Sequence, residues 1–346
     1  QEGVQEVSNG SFSQEGSEQV TNGDFATDTN WAKGTGWTIS GGTANSNGSS
    51  GGLYQSSVVE IGKSYLCEFE ITSITSGSVA INAGGITTGT SRTSIGKYSE
   101  ILYVVSGSND RAYIISQGFT GSIDNVSFKE VGQNWTLSGD AQITENSCRI
   151  YSPSGGYSAV QQLNLLTIGK TYKLSIDITE NNGGLIRVSD GTTLLLDNIS
   201  SVNTYTKYFT ATDTKIWVYR NGITDISISN ISVKEVGQDW TLGGTATIGD
   251  NLVNINSPSG ENAEVYQSSV LVIGRKYKLD CTLNKTSGDT QFVNGGTFIL
   301  NNGSNVIQFT ATDTRVYFKR GAGSVISSIT NISVIEITDD TNLPRI

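Results

Sequence analysis

Three long copies of one sequence unit follow each other along the 346 residues. The clearest seams are Ser127–Trp135 (SFKEVGQNW) and Ser232–Trp240 (SVKEVGQDW), where one copy ends and the next begins. A Trp-Thr stretch starts at Trp135 and at Trp240, and we align the similar stretch at Trp37 with them. Because a repeat means that one folding unit is used several times, it constrains the fold more than any single motif.

The local pattern within each copy predicts strands. The stretch Tyr65–Ile71 alternates apolar and polar residues, and Tyr172–Ile178 and Tyr277–Leu283 do the same. A period of two is typical of a half-buried antiparallel strand. Clusters of Gly, Asn, Asp and Ser between such stretches predict turns, and no segment keeps a helical period over three turns. The sequence therefore predicts an all-β protein of three tandem antiparallel β-sandwiches in a line.

The seams set the expected boundaries. Each unit has a length of about 100 residues, an ordinary size for one domain. The predicted sandwiches span 20–132, 133–237 and 238–337, preceded by a short stalk or extended arm at 1–19 and followed at 338–346 by a linker to further chain.

The chain begins with a short sequence that occurs twice in similar form. QEGVQEVSNGSF is followed by QEGSEQVTNGDF at a spacing of 13 residues, so that Asn9-Gly10 meets Asn22-Gly23. The second phrase also begins the first long copy, whereas no long copy stands directly behind the first phrase. A segment this short cannot bury its own Val7 and Phe12, so we expect both side chains to lie against a neighbouring domain or another chain. We also expect the array to continue upstream of Gln1.

The composition argues against several classes of function. The chain has no histidine and a net charge of −10. Without histidine there is no Ser-His-Asp triad and no imidazole shuttle, and the carboxylates are scattered, so we expect no enzyme. An acidic chain without a basic block is a poor ligand for nucleic acid. No apolar run approaches the ~20 residues of a spanning helix.

The three cysteines are predicted to be structural. Cys67, Cys148 and Cys281 fall in different copies, each at a position where the other copies carry an apolar residue. We therefore expect small core side chains and not a disulfide framework.

One strand in each copy combines aromatic and basic residues. In Lys215–Arg220 (KIWVYR), the alternation that turns Ile216 and Val218 inward turns Trp217 and Tyr219 outward. Matching strands in the other copies place tyrosines at the equivalent position, two residues after an arginine. The candidate carbohydrate-binding residues are Tyr113, Trp217, Tyr219, Tyr317, Arg111, Lys215 and Arg315. The same pattern allows a contact with protein, and if the phase is reversed the aromatic residues belong to the core.

The first copy resembles a known family. Its marks are Asn22-Gly23-Asp24-Phe25, Trp31 and Trp37, Tyr54-Gln55, Ile61-Gly62-Lys63 with Tyr65, and Ile123-Asp124-Asn125-Val126. They are similar to the jelly-roll carbohydrate-binding modules of bacterial glycoside hydrolases, which also occur in tandem in bacteriophage tail or head fibre proteins. The closing TDDTNLPRI resembles a junction in phage tail proteins.

That resemblance implies several properties beyond the fold. It implies a structural calcium in the first domain, held by Asp24 and Asp124, which the other copies lose because Ser229 and Thr330 replace Asp124. It also implies a virion or extracellular setting and assembly with other virion subunits, as a homo-oligomer that we expect to be a trimer. Host-surface polysaccharide is the expected ligand.

Three functions remain open. The leading hypothesis is a non-enzymatic fibre or decoration protein of a bacteriophage virion that attaches to host-surface glycans. A second is a string of glycan-binding modules from a secreted polysaccharide-degrading enzyme or adhesin. A third is a spacer whose outward aromatic residues are assembly contacts.

Overall fold

A computed structural model describes residues 2–338, which contain 28 strands and no helix. This confirms the predicted all-β class. The chain divides into two compact units: one holds Gln5–Lys170 and Leu174–Val233, and the other holds Thr171–Lys173 and the residues from Lys234 onward, with the first few residues. The boundaries of three separate domains stay a prediction, and the expected linker lies, apart from Thr338, outside the described residues.

The strands follow the repeats. The opening phrases, which we name the first (residues 1–13) and second (residues 14–26) opening segments, contribute β1 (Glu2–Gln5) and β2 (Glu15–Glu18). The first repeat contributes β3 (Ala32–Lys33), β4 (Trp37–Ser40), β5 (Thr43–Asn47), β6 (Gly52–Gln55), β7 (Ser64–Ala83), β8 (Thr87–Thr88), β9 (Gly96–Tyr103) and β10 (Ala112–Val131). The second contributes β11 (Thr136–Gly139), β12 (Gln142–Thr144), β13 (Ser147–Ser152), β14 (Ser158–Gln162), β15 (Thr171–Ser189), β16 (Leu194–Ile199), β17 (Asn203–Thr210) and β18 (Ile216–Val236). The third contributes β19 (Thr241–Gly244), β20 (Thr247–Gly249), β21 (Leu252–Ser257), β22 (Ala263–Gln267), β23 (Lys276–Ser287), β24 (Thr290–Val293), β25 (Thr297–Ile299), β26 (Gly303–Thr310), β27 (Val316–Arg320) and β28 (Val325–Glu336).

The same strand order recurs in the three repeats. The first has the order β3-β6-β10-β5-β4, with β7 on β10 and β8 and β9 on β7, and the second has β11-β14-β18-β13-β12 with β15, β16 and β17 in the matching places. In the third, the two long strands are each broken in two, which gives the five-stranded sheets β19-β22-β27-β24-β25 and β20-β21-β28-β23-β26. One difference matters below: β2 also pairs with β10 and β1 with β18, but in the described residues no such strand pairs with β28.

Alternation places the core between the sheet layers. Apolar residues of β7, β15 and β23 are buried at every second position, as the period of two predicts. In the third repeat the Phe292 ring on one sheet lies 5.0 Å from the Phe309 ring on the other, so the two sheets pack face to face. Cys67, Cys148 and Cys281 are buried and free, which confirms them as core side chains. Burial raises the pKa of the Cys281 thiol to about 11, so it stays protonated and unreactive at neutral pH.

The first opening segment packs against the second repeat. Val7 and Phe12 are only 4% and 1% exposed. The Phe12 and Trp135 rings lie 5.0 Å apart, and the Trp135 indole N–H donates to the Asn9 carbonyl at 2.9 Å. The expectation that Val7 and Phe12 lie against a neighbouring part of the protein is confirmed, and the partner is the second repeat of this chain.

The second opening segment repeats that geometry on the first repeat. The Phe25 and Trp31 rings lie 5.4 Å apart, and the Trp31 indole N–H donates to the Asn22 carbonyl at 2.9 Å. Trp31 therefore corresponds to Trp135, and the alignment of Trp37 with Trp135 is wrong. The Trp-Thr-Ile-Ser stretch at Trp37 is similar in sequence to the start of the later copies, but it forms a different strand, β4.

A buried glutamine holds each segment by its backbone. The Gln162 side chain accepts from the Ser8 N–H at 2.9 Å and donates to the Ser8 carbonyl at 3.0 Å. Gln55 makes the same two bonds to Thr21, both at 2.9 Å. Each amide group thus satisfies a donor and an acceptor that lie outside any strand ladder.

The glycine of each Asn-Gly pair is required by a close approach. A Cβ atom on Gly10 would lie 2.0 Å from the Ile231 carbonyl oxygen, and one on Gly23 would lie 2.0 Å from that of Val126. The same two residues hold the segments in place, since the Ile231 and Val126 N–H groups donate to the Gly10 and Gly23 carbonyls, both at 2.9 Å. A side chain at either glycine would therefore collide with the backbone of the receiving strand.

The second and first repeats therefore take their opening segments in reverse order. The segment nearer the N-terminus serves the second repeat, and the next one serves the first. The second repeat is therefore completed by residues that lie more than 100 positions upstream of Trp135.

This arrangement predicts a selective loss of protection from hydrogen exchange. Phe12→Ala removes a buried ring, a change that costs about 3–5 kcal/mol in protein cores. We expect the Ile231 amide, which donates to Gly10, to exchange faster by several orders of magnitude, whereas the equivalent Val126 amide keeps its rate. Exchange is measured by NMR on the full chain.

The reciprocal variant supplies the control. Phe25→Ala is expected to expose the Val126 amide and to leave Ile231 protected. Equal effects of both variants on both amides would contradict the assignment of one segment to each repeat.

Candidate functional site

The candidate aromatic residues lie where the alternation places them. Tyr113 is on β10, Trp217 and Tyr219 are on β18, and Tyr317 is on β27, and all four are half-buried. The apolar residues that flank them are fully buried: Ala112, Ile114, Ile216, Val218, Val316 and Phe318. The interpretation that the aromatic residues belong to the core is therefore wrong. Contact with sugar and contact with protein remain.

In each repeat, the equivalent aromatic residue lies directly opposite a residue of the neighbouring strand. Tyr113 lies opposite Tyr54 on β6, Trp217 opposite Gln161 on β14, and Tyr317 opposite Tyr266 on β22. Directly opposite residues of an antiparallel pair share a face and touch each other. We name these three places the aromatic rows of the first, second and third repeats.

In the first repeat the row is a pair of tyrosines with an arginine. The Tyr54 and Tyr113 rings lie 5.4 Å apart. The Arg111 guanidinium lies 4.6 Å from the centre of the Tyr54 ring and donates to the Tyr113 hydroxyl at 3.3 Å. Asn109 also donates to that hydroxyl, at 3.0 Å. The cation and both rings thus form one ordered surface.

In the second repeat the aromatic surface lies along a single strand. The Trp217 and Tyr219 rings are stacked, with centres 4.3 Å apart. The Lys215 ammonium lies 5.7 Å from the centre of the Trp217 ring. Because Gln161 stands where the other repeats carry a tyrosine, the flat surface is made by residues two apart on β18.

In the third repeat an arginine lies between two tyrosines. The Tyr266 and Tyr317 rings meet edge to face at 6.0 Å, and the Arg315 guanidinium lies 5.4 and 5.1 Å from their centres. Asp313 accepts from the Arg315 Nε at 2.8 Å and fixes the orientation of the guanidinium. The Tyr317 hydroxyl donates to a Glu264 carboxylate oxygen.

Sequence reasoning missed several of these residues. Tyr54, Tyr266 and Glu264 reach the rows only through strand pairing, which the local pattern does not specify. The signal that pointed to them is the Tyr-Gln-Ser-Ser stretch shared by the first and third copies, at Tyr54 and Tyr266.

A buried polar residue also fixes the loop that leads into the aromatic strand. The Asp190 carboxylate is fully buried and accepts from the N–H groups of Thr193 and Thr212, both at 2.7 Å. Burial acts to raise its pKa, but these hydrogen bonds outweigh burial and hold the pKa of Asp190 below its usual range. In the third repeat, Asn294 has this role and donates to the Asp313 and Arg315 carbonyls at 2.9 and 2.8 Å.

The expected calcium ligands come near each other without forming a full ligand set. Burial first, and then the charges of Glu70 and Asp24, raise the pKa of Asp124, so these carboxylates repel one another. The described residues contain no group of three or more His, Cys, Asp or Glu side chains that could hold a metal ion. Calcium prefers six to eight oxygen ligands, and two carboxylates fall short of that unless carbonyls and water complete the set. The calcium site stays a prediction.

In the second repeat the equivalent pair has no carboxylate. Ser11 and Ser229 replace Asp24 and Asp124, and the Ser229 hydroxyl bonds to the Asn146 carbonyl at 2.8 Å. A calcium ion is not expected there.

Two cavities lie away from the aromatic rows. One of about 590 Å³ lies between the first two repeats and is lined by four glutamates and the edge of Phe12: Glu15, Glu68, Glu100 and Glu145. Another, of about 770 Å³, lies on the second repeat next to Arg149 and Glu180. In the described residues no helix is long and apolar enough to cross a membrane.

Comparison with known proteins gives only distant structural similarity. No family model and no curated protein sequence matches the chain. Among solved structures, a CBM22 tandem domain from Paenibacillus barcinonensis Xyn10C is 10% identical and covers 60% of this chain and 94% of its own length, with a TM-score of 0.24.

Two viral structures have the same degree of similarity. A structure of Sulfolobus Turreted Icosahedral Virus is 13% identical over 89% of this chain and 90% of that chain, with a TM-score of 0.19. A triple jelly-roll protein of an archaeal virus is 13% identical over 88% and 89%, with a TM-score of 0.20. Similarities this low do not transfer function to this chain.

The third aromatic row predicts a measurable change in one tyrosine. Burial and then the hydrogen bond to Glu264 raise the pKa of Tyr317 to about 12. We expect Glu264→Gln to lower the pKa of Tyr317 towards the ordinary value of ~10, because the carboxylate no longer opposes the tyrosinate. NMR titration of ring-labelled tyrosine measures it.

The direction of this pKa shift also predicts how the stability of the fold depends on pH. Because the folded pKa lies above the unfolded one, the stabilisation is complete below pH ~10 and is lost as the pH rises towards the folded value. Tyr54, whose hydroxyl bonds to no carboxylate among the described residues, serves as the control in the same spectra. An unchanged Tyr317 titration in Glu264→Gln would contradict the hydrogen bond.

Proposed function

We propose that this chain is a non-enzymatic structural protein that binds glycans through its aromatic rows, as a fibre or decoration subunit of a bacteriophage virion. The observation that supports it is the same outward row in all three repeats, each with a cation beside aromatic rings.

The chemistry of the rows suits a sugar. The apolar face of a pyranose ring stacks on an aromatic ring, while arginine, lysine and tyrosine hydroxyls bond to the sugar hydroxyls. A half-buried flat surface such as Trp217 with Tyr219 offers this contact without the depth of an enclosed pocket. Each site alone is expected to be weak, and repetition along one chain raises the apparent affinity through effective concentration.

The opening segments support a structural role. Residues 5–12 bind the second repeat and the second segment binds the first repeat, so a short connection ties the two together. The Asn9 side chain accepts from the Gln14 N–H at 3.0 Å, which links the segments to each other. The Asn9 amide also donates to the Gln133 carbonyl at the seam, at 3.3 Å. Such ties suit a protein that bears load in an assembly.

The virion setting comes from the sequence resemblance of the first copy. Assembly as a homo-oligomer, a trimer in this proposal, belongs to the same expectation and is measured by light scattering of the purified full chain. The alternatives are a glycan-binding module string of a secreted enzyme or adhesin, which binds glycans as a monomer, and a spacer, which binds none.

Glycan binding is tested on the second row. In Trp217→Ala we expect the retained signal on a bacterial polysaccharide array to fall about tenfold, because stacking contacts of this kind contribute ~1 kcal/mol or more. Tyr151→Ala is the matched control: Tyr151 also carries an arginine over its ring, at 4.2 Å, but outside the aromatic row.

The outcomes separate the hypotheses. Lost glycan binding with unchanged assembly supports the proposal and excludes the spacer. Absence of binding to every polysaccharide by the wild-type chain, or equal losses in Trp217→Ala and Tyr151→Ala, would overturn it.

A further inference from the structure

The third repeat lacks the opening segment that completes the other two. No strand corresponding to β1 or β2 pairs with β28 in the described residues. Both opening segments of this chain are already used by the first two repeats. We propose that the third repeat binds a third opening segment, an extended peptide of the pattern Val-x-Asn-Gly-x-Phe that comes from outside these 346 residues.

The third repeat has a tryptophan, Trp240, at the position whose ring contacts the segment phenylalanine in the other two repeats. Trp240 follows a residue of positive φ, Asp239 at 68°, as Trp135 follows Asn134 at 70°. The Trp240 N–H donates to the Gly237 carbonyl at 3.0 Å, which matches the 3.2 Å bond of Trp135 to Gly132. Its indole, however, is half-buried and has no hydrogen bond or ring contact with a described residue. The side chain is held in position for a partner.

The glutamine that holds the segment backbone is also present. Gln267 occupies on β22 the place of Gln162 on β14 and Gln55 on β6. Those two are buried and each makes a pair of bonds to an opening segment. Gln267 is half-buried, and its side-chain amide bonds to no described residue.

The receiving strand has the same bend. Asn331 on β28 has a φ of 53°, and its counterparts Asn125 and Asn230 have 53° and 50°. In the other repeats the next residue donates its N–H to the segment glycine. The third repeat places Ile332 there, so the backbone that would receive an Asn-Gly pair is already formed.

Exposed apolar side chains mark the same region. Val270 is 40% exposed, whereas its counterpart Val58 in the first repeat is 3% exposed. Ile335 is 59% exposed and lies on the part of β28 that pairs with β23 on one side and with no described strand on the other. An open strand edge with exposed apolar residues favours the addition of another strand.

Ile335 also distinguishes the occupant from the two segments already present. Its counterparts Lys129 and Lys234 form ion pairs with Glu15 at 2.8 Å and Glu2 at 3.0 Å. An isoleucine cannot pair with a glutamate, so the third segment is expected to carry an apolar residue at that position. This argues against simple exchange of opening segments between two copies of the chain.

The test uses a synthetic peptide of residues 1–13 with the change Glu2→Val, labelled for fluorescence anisotropy, and the full chain. We expect saturable binding of one peptide per chain, with a change in tryptophan fluorescence. A matched peptide that also carries Gly10→Ala is expected to bind about tenfold or more weakly, because its Cβ would meet the Ile332 carbonyl.

Two protein variants locate the site. Gln267→Ala is expected to weaken binding about tenfold, and Gln162→Ala, the same change in the second repeat, is expected to leave it unchanged. Circular dichroism confirms that each variant folds. The proposal is overturned by no binding, by equal binding of the Gly10→Ala peptide, by dependence on Gln162 in place of Gln267, or by self-association of the chain that buries Trp240 without peptide.

Discussion

The contact between the phenylalanine of an Asn-Gly-x-Phe turn and a tryptophan is the interaction on which the first two repeats depend. Phe12 against Trp135 and Phe25 against Trp31 close the same corner of each repeat. A 13-residue segment cannot bury its own apolar side chains, so it is ordered only on a repeat that receives it. Without the segment the tryptophan, the glutamine amide and one strand edge of a repeat stay open, as they do in the described part of the third repeat.

This dependence explains why the chain begins with a doubled phrase. The first phrase is part of the second repeat, separated from it in sequence by the whole of the first. Such a connection costs loop-closure entropy, but the cost rises only slowly with loop length, and the folded first repeat brings its ends into a fixed place. The glycine of each phrase cannot be replaced because it touches a backbone carbonyl, which accounts for Asn-Gly at both Gly10 and Gly23.

The strands could be predicted from the sequence because a period of two records directly which residues are buried. The same rule placed Trp217 and Tyr317 outward correctly. What the sequence could not give is non-local pairing. The pairing of Tyr54 with Tyr113 is a matter of register, and the receiver of the first opening segment lies over 100 residues away. Likewise, local similarity alone aligns Trp37 with Trp135, whereas hydrogen bonding shows that Trp31 has that role.

The aromatic rows occupy equivalent strand positions in the three repeats, but the arrangement of their rings differs. The first row pairs rings across two strands, the second stacks them along one strand, and the third sets an arginine between two edges. Identical rows would multiply the affinity for one sugar unit. Under the proposed function, rows of different shape are expected to fit different sugar units or different faces of one polymer.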